Sequence, residues 1–299
     1  MVLVLGATGN VGPHVVAALL SRGAAVRVLA RNVDKARQAL PSGVEILPGD
    51  AWKPADVTAA ADGATGVFLL SPHGDDMADL QLRVIRTLRR VGVRIVKLSG
   101  TSSAIDADGP QVCREHWEIE HVLAASGQPF VILRSNSFMQ TLIDHVMLPA
   151  LRATGAVPNP IGSAGISLID ARDVGEVAAE AVLEDRWGGQ TLVLTGPRAV
   201  AYEEIARLIG AETGLDIPVS ETTPEEVGRS LLTRGTEPWE AEHFTEMYQL
   251  FRKGESEFVT DDVQRVTRKP PRTVEAYLHE RRQVFAEILG QAEVTRSSR

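Results

Sequence analysis

The chain has 299 residues, 44% of them hydrophobic and 23% charged, enough for one large α/β domain with or without a smaller appendage. Its formal net charge of −8 argues against a nucleic-acid partner, and no apolar run approaches the roughly 20 residues that span a bilayer. Cys113 is the single cysteine, so no intrachain disulfide can form; with no basic segment ahead of "VLVL" to suggest a signal peptide, a cytoplasmic protein is expected.

Short β-branched runs alternate with helix-length stretches from the first residues onward. "VLVL" (2–5) precedes "GPHVVAALLSRG", and "AVRVLA" (25–30), "VEILPG" (44–49) and "GVFLL" (66–70) follow. The basic stretch "RVIRTLRRVGVR" interleaves arginines with Val, Ile and Leu, as an amphipathic helix with a wet arginine face does. "VRIVKLS" (93–99) and "PFVILR" (129–134) complete the series. Several of these runs are apolar without alternation, the mark of strands covered on both faces. The pattern predicts an α/β fold built on a doubly wound parallel sheet, with a nucleotide-binding core over residues 1–150. After Arg134 the rhythm breaks. Residues 151–299 read as a mixed region that completes the sheet at about 165–210 and then forms a helical cap at about 218–290. The last residues, "VTRSSR", are expected to fray.

Gly6, Gly9 and Gly12 recur at the junction of the first strand and first helix. With Thr8, Asn10 and Val11 they form a loop whose bare backbone admits a pyrophosphate, which the helix N-terminus then faces. The alternative is a plain glycine turn. The second strand ends in Ala30-Arg31-Asn32-Val33-Asp34-Lys35, with no carboxylate at its tip to take the adenosine ribose hydroxyls. Arg31 suits a forked contact to a 2′-phosphate, and Lys35 adds a second cation one turn on. NADP(H) is therefore expected over NAD(H), unless the two are ordinary surface charges. Asp50 and the amide of Ala51 are candidates to meet the adenine.

Open α/β sheets bind ligands beyond the carboxyl ends of their strands. Leu70, Ser71 and Pro72 are expected beside the cofactor, as is Ser99. His73, Thr101, Asn136 and Phe138 are expected to face a substrate. Turn chemistry is the competing explanation for each of these polar residues. Asp170 and Asp173 read as helix caps. No cluster of His, Cys, Asp or Glu has metal-ligand spacing, so no metal is expected.

"VLVLGATGNVG", "VRVLARNVDKA", "GDAWKPADV", "HVLAASGQPFVILRSNSFMQ", "SLIDARDVGEVAAEAV" and "VTDDVQRVTRKPPRTVEAYLHE" together resemble the NmrA-like group of atypical short-chain dehydrogenases/reductases. The resemblance implies a Rossmann-like domain with a small, mostly helical C-terminal substrate-binding part. It also implies an NADPH-dependent oxidoreductase acting on quinones, ketones or other conjugated small molecules. Two alternatives stay open: a non-catalytic NADP-binding redox sensor, and an isomerase or epimerase that keeps its cofactor. A small-molecule substrate is the expected partner, and a homodimer is left open.

Typical short-chain dehydrogenases carry Tyr-x-x-x-Lys on the helix before the last parallel strand, where the lysine lowers the phenol's pKa. Counted back from Pro129, those two places fall here on Val112 and His116. Neither member of the pair is present. His116, with Glu120 one turn later, becomes the candidate proton donor. The bland alternative is an exposed pair on a helix surface.

Overall fold

The computed structural model describes residues 1–297. In chain order, β1 (Val2–Val4), α1 (Gly12–Ser21), β2 (Val26–Ala30) and α2 (Val33–Ala39) come first. β3 (Glu45–Pro48), α3 (Pro54–Ala61), β4 (Gly66–Leu69) and α4 (Met77–Arg89) follow. β5 (Arg94–Ser99), α5 (Gln111–Ala125) and β6 (Phe130–Ser135) end the regular alternation. A π-helical segment, Gln140–Met147, then runs into α6 (Leu148–Thr154), β7 (Val157–Asn159) and β8 (Gly165–Ile166). Next are α7 (Ala171–Leu183), β9 (Thr191–Leu194), β10 (Val200–Ala201) and α8 (Tyr202–Thr213). The remainder is β11 (Val219–Glu221), α9 (Pro224–Thr233), α10 (Pro238–Arg252), α11 (Asp262–Thr267) and α12 (Val274–Ser297). α12 thus extends into "VTRSSR"; residues 298 and 299, where fraying was also expected, lie outside the described residues.

The chain divides into two compact units. One comprises Met1–Ser135, Ala171–Leu194 and Thr260–Pro270, and the other the remaining segments. The first unit holds a seven-stranded parallel sheet in the order β3-β2-β1-β4-β5-β6-β9. Strand order reverses between β1 and β4, which makes a topological switch point at the C-terminal end of β1. β1 and β4 are buried at every position, in keeping with their unalternating apolar sequences. α4 carries the basic run and buries Leu82, Val84, Ile85 and Leu88 while Arg83, Arg86 and Arg89 are exposed. α1 and α7 lie close enough that a Cβ on Gly175 would stand 2.7 Å from the carbonyl carbon of His14.

Two expectations from the sequence need adjustment. The first continuous stretch of the first unit runs to Ser135 rather than to about 150, where the chain leaves the sheet after β6, and the chain returns to that unit at Ala171–Leu194 and Thr260–Pro270. Of the strands between 165 and 210 only β9 joins the sheet, beside β6. β8 and β10 instead pair with each other, and β11 pairs with β7, each in a two-stranded sheet of the second unit. That unit has its own core, in which Ile143, Tyr202, Leu278 and Phe285 are fully buried. No helix among the described residues is long and apolar enough to cross a membrane.

Candidate active site

The loop between β1 and α1 has a backbone that its own neighbours force to be bare. Gly6 adopts φ +76°, and a Cβ there would sit 2.6 Å from the carbonyl oxygen of Leu70. A Cβ on Gly12 would stand 2.3 Å from the Gly6 oxygen and 2.5 Å from Ala7 Cα. Gly9 differs, since its added Cβ would meet nothing closer than the Gly6 oxygen at 3.6 Å. The first and third glycines are thus required by packing, whereas the middle one, exposed with Thr8 and Asn10, faces open space. Val11, the residue before α1, is buried and provides no side-chain cap, and Pro13 occupies the first turn. Amides of an uncapped helix start, beside a glycine with room next to it, are the donor set that suits a dinucleotide pyrophosphate.

Arg31 directly follows β2 and is exposed, as is Lys35, and neither side chain forms an ion pair among the described residues. Asn32 caps α2, its Oδ1 accepting from the Lys35 amide at 2.9 Å. Arg31 and Lys35 therefore flank a capped turn, and neither is paired with a carboxylate among the described residues. Asp50 is half-buried, and its Oδ1 accepts from the Trp52 amide at 3.1 Å. Ala51 lies inside that turn.

Behind the tips of β4 and β5 the structure brings together residues that the sequence reading had kept apart. Ser71 is buried; its Oγ accepts from Gln81 Nε2 at 2.9 Å and donates to the Pro72 carbonyl at 3.2 Å. Gln81 was missed, although a lone amide among the apolar positions of α4 marked it. Its buried Oε1 has no partner among the described residues. Pro72 and His73 are exposed. Thr101 is buried beyond the end of β5.

Lys97 was also missed, and it changes how His116 is understood. The side chain is 0% exposed on β5, and its Nζ lies 3.0 Å from His116 Nδ1 and 3.2 Å from the Leu98 carbonyl. Its pKa is pulled down to about 7, chiefly by burial; the Glu120 carboxylate resists that fall and the Arg134 guanidinium adds to it. Glu120 is only 5% exposed. It accepts from Ser99 Oγ at 2.5 Å and from Arg134 Nε and Nη2 at 3.1 and 2.6 Å. The β5–β6 register sets Ser99 beside Arg134, so both reach the same carboxylate. His116 and Glu120 are therefore not an exposed helix pair: both are buried, and each is held by the sheet beneath α5. The Cδ2 edge of the imidazole faces Gly100, where an added Cβ would lie 3.2 Å away. The His73 ring is edge-on to His116 at 6.4 Å between centroids; although the residue is exposed on one side, the protein packed around its ring desolvates it and, with the Lys97 charge, lowers its pKa.

In the second unit the expected roles are not all supported. Asn136 is buried and its amide serves the fold. Nδ2 donates to Ser167 Oγ at 2.6 Å and to the Ser256 carbonyl at 3.0 Å, while Oδ1 accepts from Ser256 Oγ at 2.7 Å and from the Ser137 amide at 2.8 Å. All four hydrogen-bonding capacities of the side chain are filled, which removes it as a substrate contact. Phe138 is half-buried in an isolated bridge to Ile169. Asp170 is fully buried, and its Oδ1 accepts from Gln140 Nε2 at 2.9 Å. No group of three or more His, Cys, Asp or Glu suited to a metal occurs among the described residues.

The profile of the NmrA-like family matches residues 1–278. The chain belongs to this family. Among curated relatives, the NAD(P)H azoreductase of Xenophilus azovorans is 29% identical over 273 residues, covering 91% of this chain and 95% of that protein. Quinone oxidoreductase 2 of Escherichia coli is 24% identical over 238 residues, covering 79% and 82%. Among solved structures, an NADPH-dependent quinone oxidoreductase of Escherichia coli complexed with NADPH superposes with a TM-score of 0.83 at 21% identity, covering 94% of this chain and 99% of that one. The triphenylmethane reductase of Citrobacter sp. complexed with NADP(H) gives 0.78 at 22% identity, with coverage of 94% and 99%. At such identities the structural likeness establishes the fold. Within this fold a lysine, Lys97, reaches His116 from the strand beneath α5.

Proposed function

We propose that this protein is an NADPH-dependent reductase that passes hydride to a small conjugated acceptor: a quinone, a conjugated carbonyl or an azo compound. The pairing of His116 with the buried Lys97 carries this reading. Reduction of a conjugated acceptor leaves an anion on oxygen or nitrogen, and an imidazole that receives a proton at one nitrogen can protonate such an anion from the other. The names of the relatives, an azoreductase and quinone oxidoreductases, fit acceptors of this kind. The bound dinucleotide would supply the hydride. The glycine loop would hold its pyrophosphate, and Arg31 with Lys35 its 2′-phosphate. Ser71 and Ser99 would lie along the cofactor, with His73 and Thr101 on the acceptor side.

The test is steady-state NADPH oxidation against a panel of quinones, azo dyes and plain ketones. Turnover of the conjugated acceptors and not of the ketones is expected, with kcat reduced at least tenfold in His116→Ala at unchanged cofactor affinity. Tight NADPH binding without turnover of any acceptor would instead favour a redox sensor. Product formed with no change in reduced-nicotinamide absorbance would favour an isomerase.

Arg31→Asp addresses the cofactor. It removes the guanidinium fork and supplies a ribose acceptor, so the NADPH/NADH affinity ratio should drop by about 10- to 100-fold, the scale of a charge-assisted pair. An unchanged ratio in calorimetric titrations would return Arg31 to the ordinary surface.

A further inference from the structure

We infer that Lys97 is the proton store of the site, delivering its proton to the reduced acceptor through the imidazole of His116. The inference rests on the reductase reading and deepens it.

Lys97 has one hydrogen-bonded neighbour able to take its proton and pass it on. The side chain is 0% exposed, so the ammonium cannot touch an acceptor itself. Its Nζ contacts are the Leu98 carbonyl, which takes no proton, and His116 Nδ1 at 3.0 Å. Glu120 is not the alternative recipient, because its oxygens are engaged by Ser99 and Arg134. When the ammonium donates to Nδ1, neutral His116 is fixed as the tautomer with its proton on Nε2.

The step then balances. A bound reduced nicotinamide would supply the hydride, with its electron pair, to the electron-poor atom of the acceptor. The conjugated bond shifts its own pair onto the acceptor's oxygen or nitrogen. That atom takes the proton from His116 Nε2 while Nδ1 takes one from Lys97 Nζ. The products are the dihydro compound, oxidised cofactor, a neutral Lys97 amine and a neutral His116 with its proton on Nδ1. After product leaves, a proton from solvent taken up at Nε2, with the Nδ1 proton passed back to Nζ, would restore the Lys97 ammonium and the Nε2–H imidazole. A buried amine whose pKa is drawn down to about 7 releases its proton readily at neutral pH, whereas an ordinary lysine would hold it. The groups that face Lys97 and set this balance are His116 and Glu120 from α5, Arg134 from β6, and His73 from the segment after β4.

Two measurements test the inference. The first is the nitrogen NMR of histidine-labelled protein without substrate, with the His116 signals assigned by comparison with His116→Ala. His116 should pass from the Nε2–H to the Nδ1–H tautomer with a midpoint near pH 7, and Lys97→Met should abolish that change. A tautomer constant from pH 6.5 to 9, or an unchanged transition in Lys97→Met, overturns the proposal. The second is kinetic. Lys97→Met and Lys97→Arg should both lose at least tenfold in kcat while NADPH affinity, which also reports folding, stays within about twofold. Arginine keeps the charge and the hydrogen bond and does not give up its proton, so wild-type turnover and pH profile in Lys97→Arg would reduce Lys97 to a fixed charge and overturn the store. If the wild-type protein reduces no acceptor, the reductase reading fails by itself, and the tautomer transition still decides whether Lys97 and His116 exchange a proton.

Discussion

Glu120→Ala is expected to lower the unfolding free energy by about 3–5 kcal/mol, the scale for removing one partner of a buried ion pair. Glu120 supplies the negative charge in a buried group that also holds Lys97 and Arg134, with side-chain exposures of 5% for Glu120 and 23% for Arg134. Removing it strands the guanidinium, leaves the Ser99 hydroxyl without its acceptor and takes away the charge that supports protonated Lys97. Glu120→Gln separates charge from shape: the amide oxygen can still accept from Arg134 or Ser99, so a smaller loss is expected. Chemical unfolding at neutral pH measures both. A loss below about 1 kcal/mol in Glu120→Ala would place the pair with ordinary solvent-screened surface bridges and remove the electrostatic basis for the state of Lys97.

The parts of this structure that were legible in the sequence are those fixed by local rules. Unalternating runs such as "GVFLL" report strand burial directly, and Gly6 and Gly12 of the glycine spacing report backbone crowding. The end of β2 was equally open to reading, because the residue after a strand tip is set by chain order alone. Lys97 was hidden for the opposite reason. Within "VRIVKLS" it reads as one charge in an apolar run, and only the packing of α5 onto β5 shows that its Nζ reaches His116. Asn136 misled because an asparagine after a strand suits a turn or a ligand equally well. Its partners Ser167 and Ser256 lie 31 and 120 residues away in sequence, beyond any local pattern. Glu120 was placed correctly on one helical face with His116, yet its strongest partner comes from β6. Helical spacing reports which residues share a face and says nothing of what the sheet presents to them.

Gly12→Ala should abolish measurable dinucleotide binding, a loss of at least 100-fold, or about 2.7 kcal/mol. It should also cost about 1–3 kcal/mol of stability through overpacking. The added methyl would stand 2.3 Å from the Gly6 oxygen and 2.6 Å from the Ala7 carbonyl carbon, and both are backbone atoms that cannot swing aside. The loop must therefore deform, and this variant alone does not distinguish a damaged loop from an absent ligand site. Gly9→Ala makes the distinction, because its methyl would meet nothing nearer than 3.6 Å within the protein. Its thermal stability should match wild type, while NADPH affinity should fall at least tenfold as the methyl enters the space required by the pyrophosphate. Titration calorimetry and a melting curve on the same samples give both quantities. Wild-type affinity in Gly9→Ala would mean that no phosphate lies against that glycine, and the cofactor assignment of the loop would fall with it.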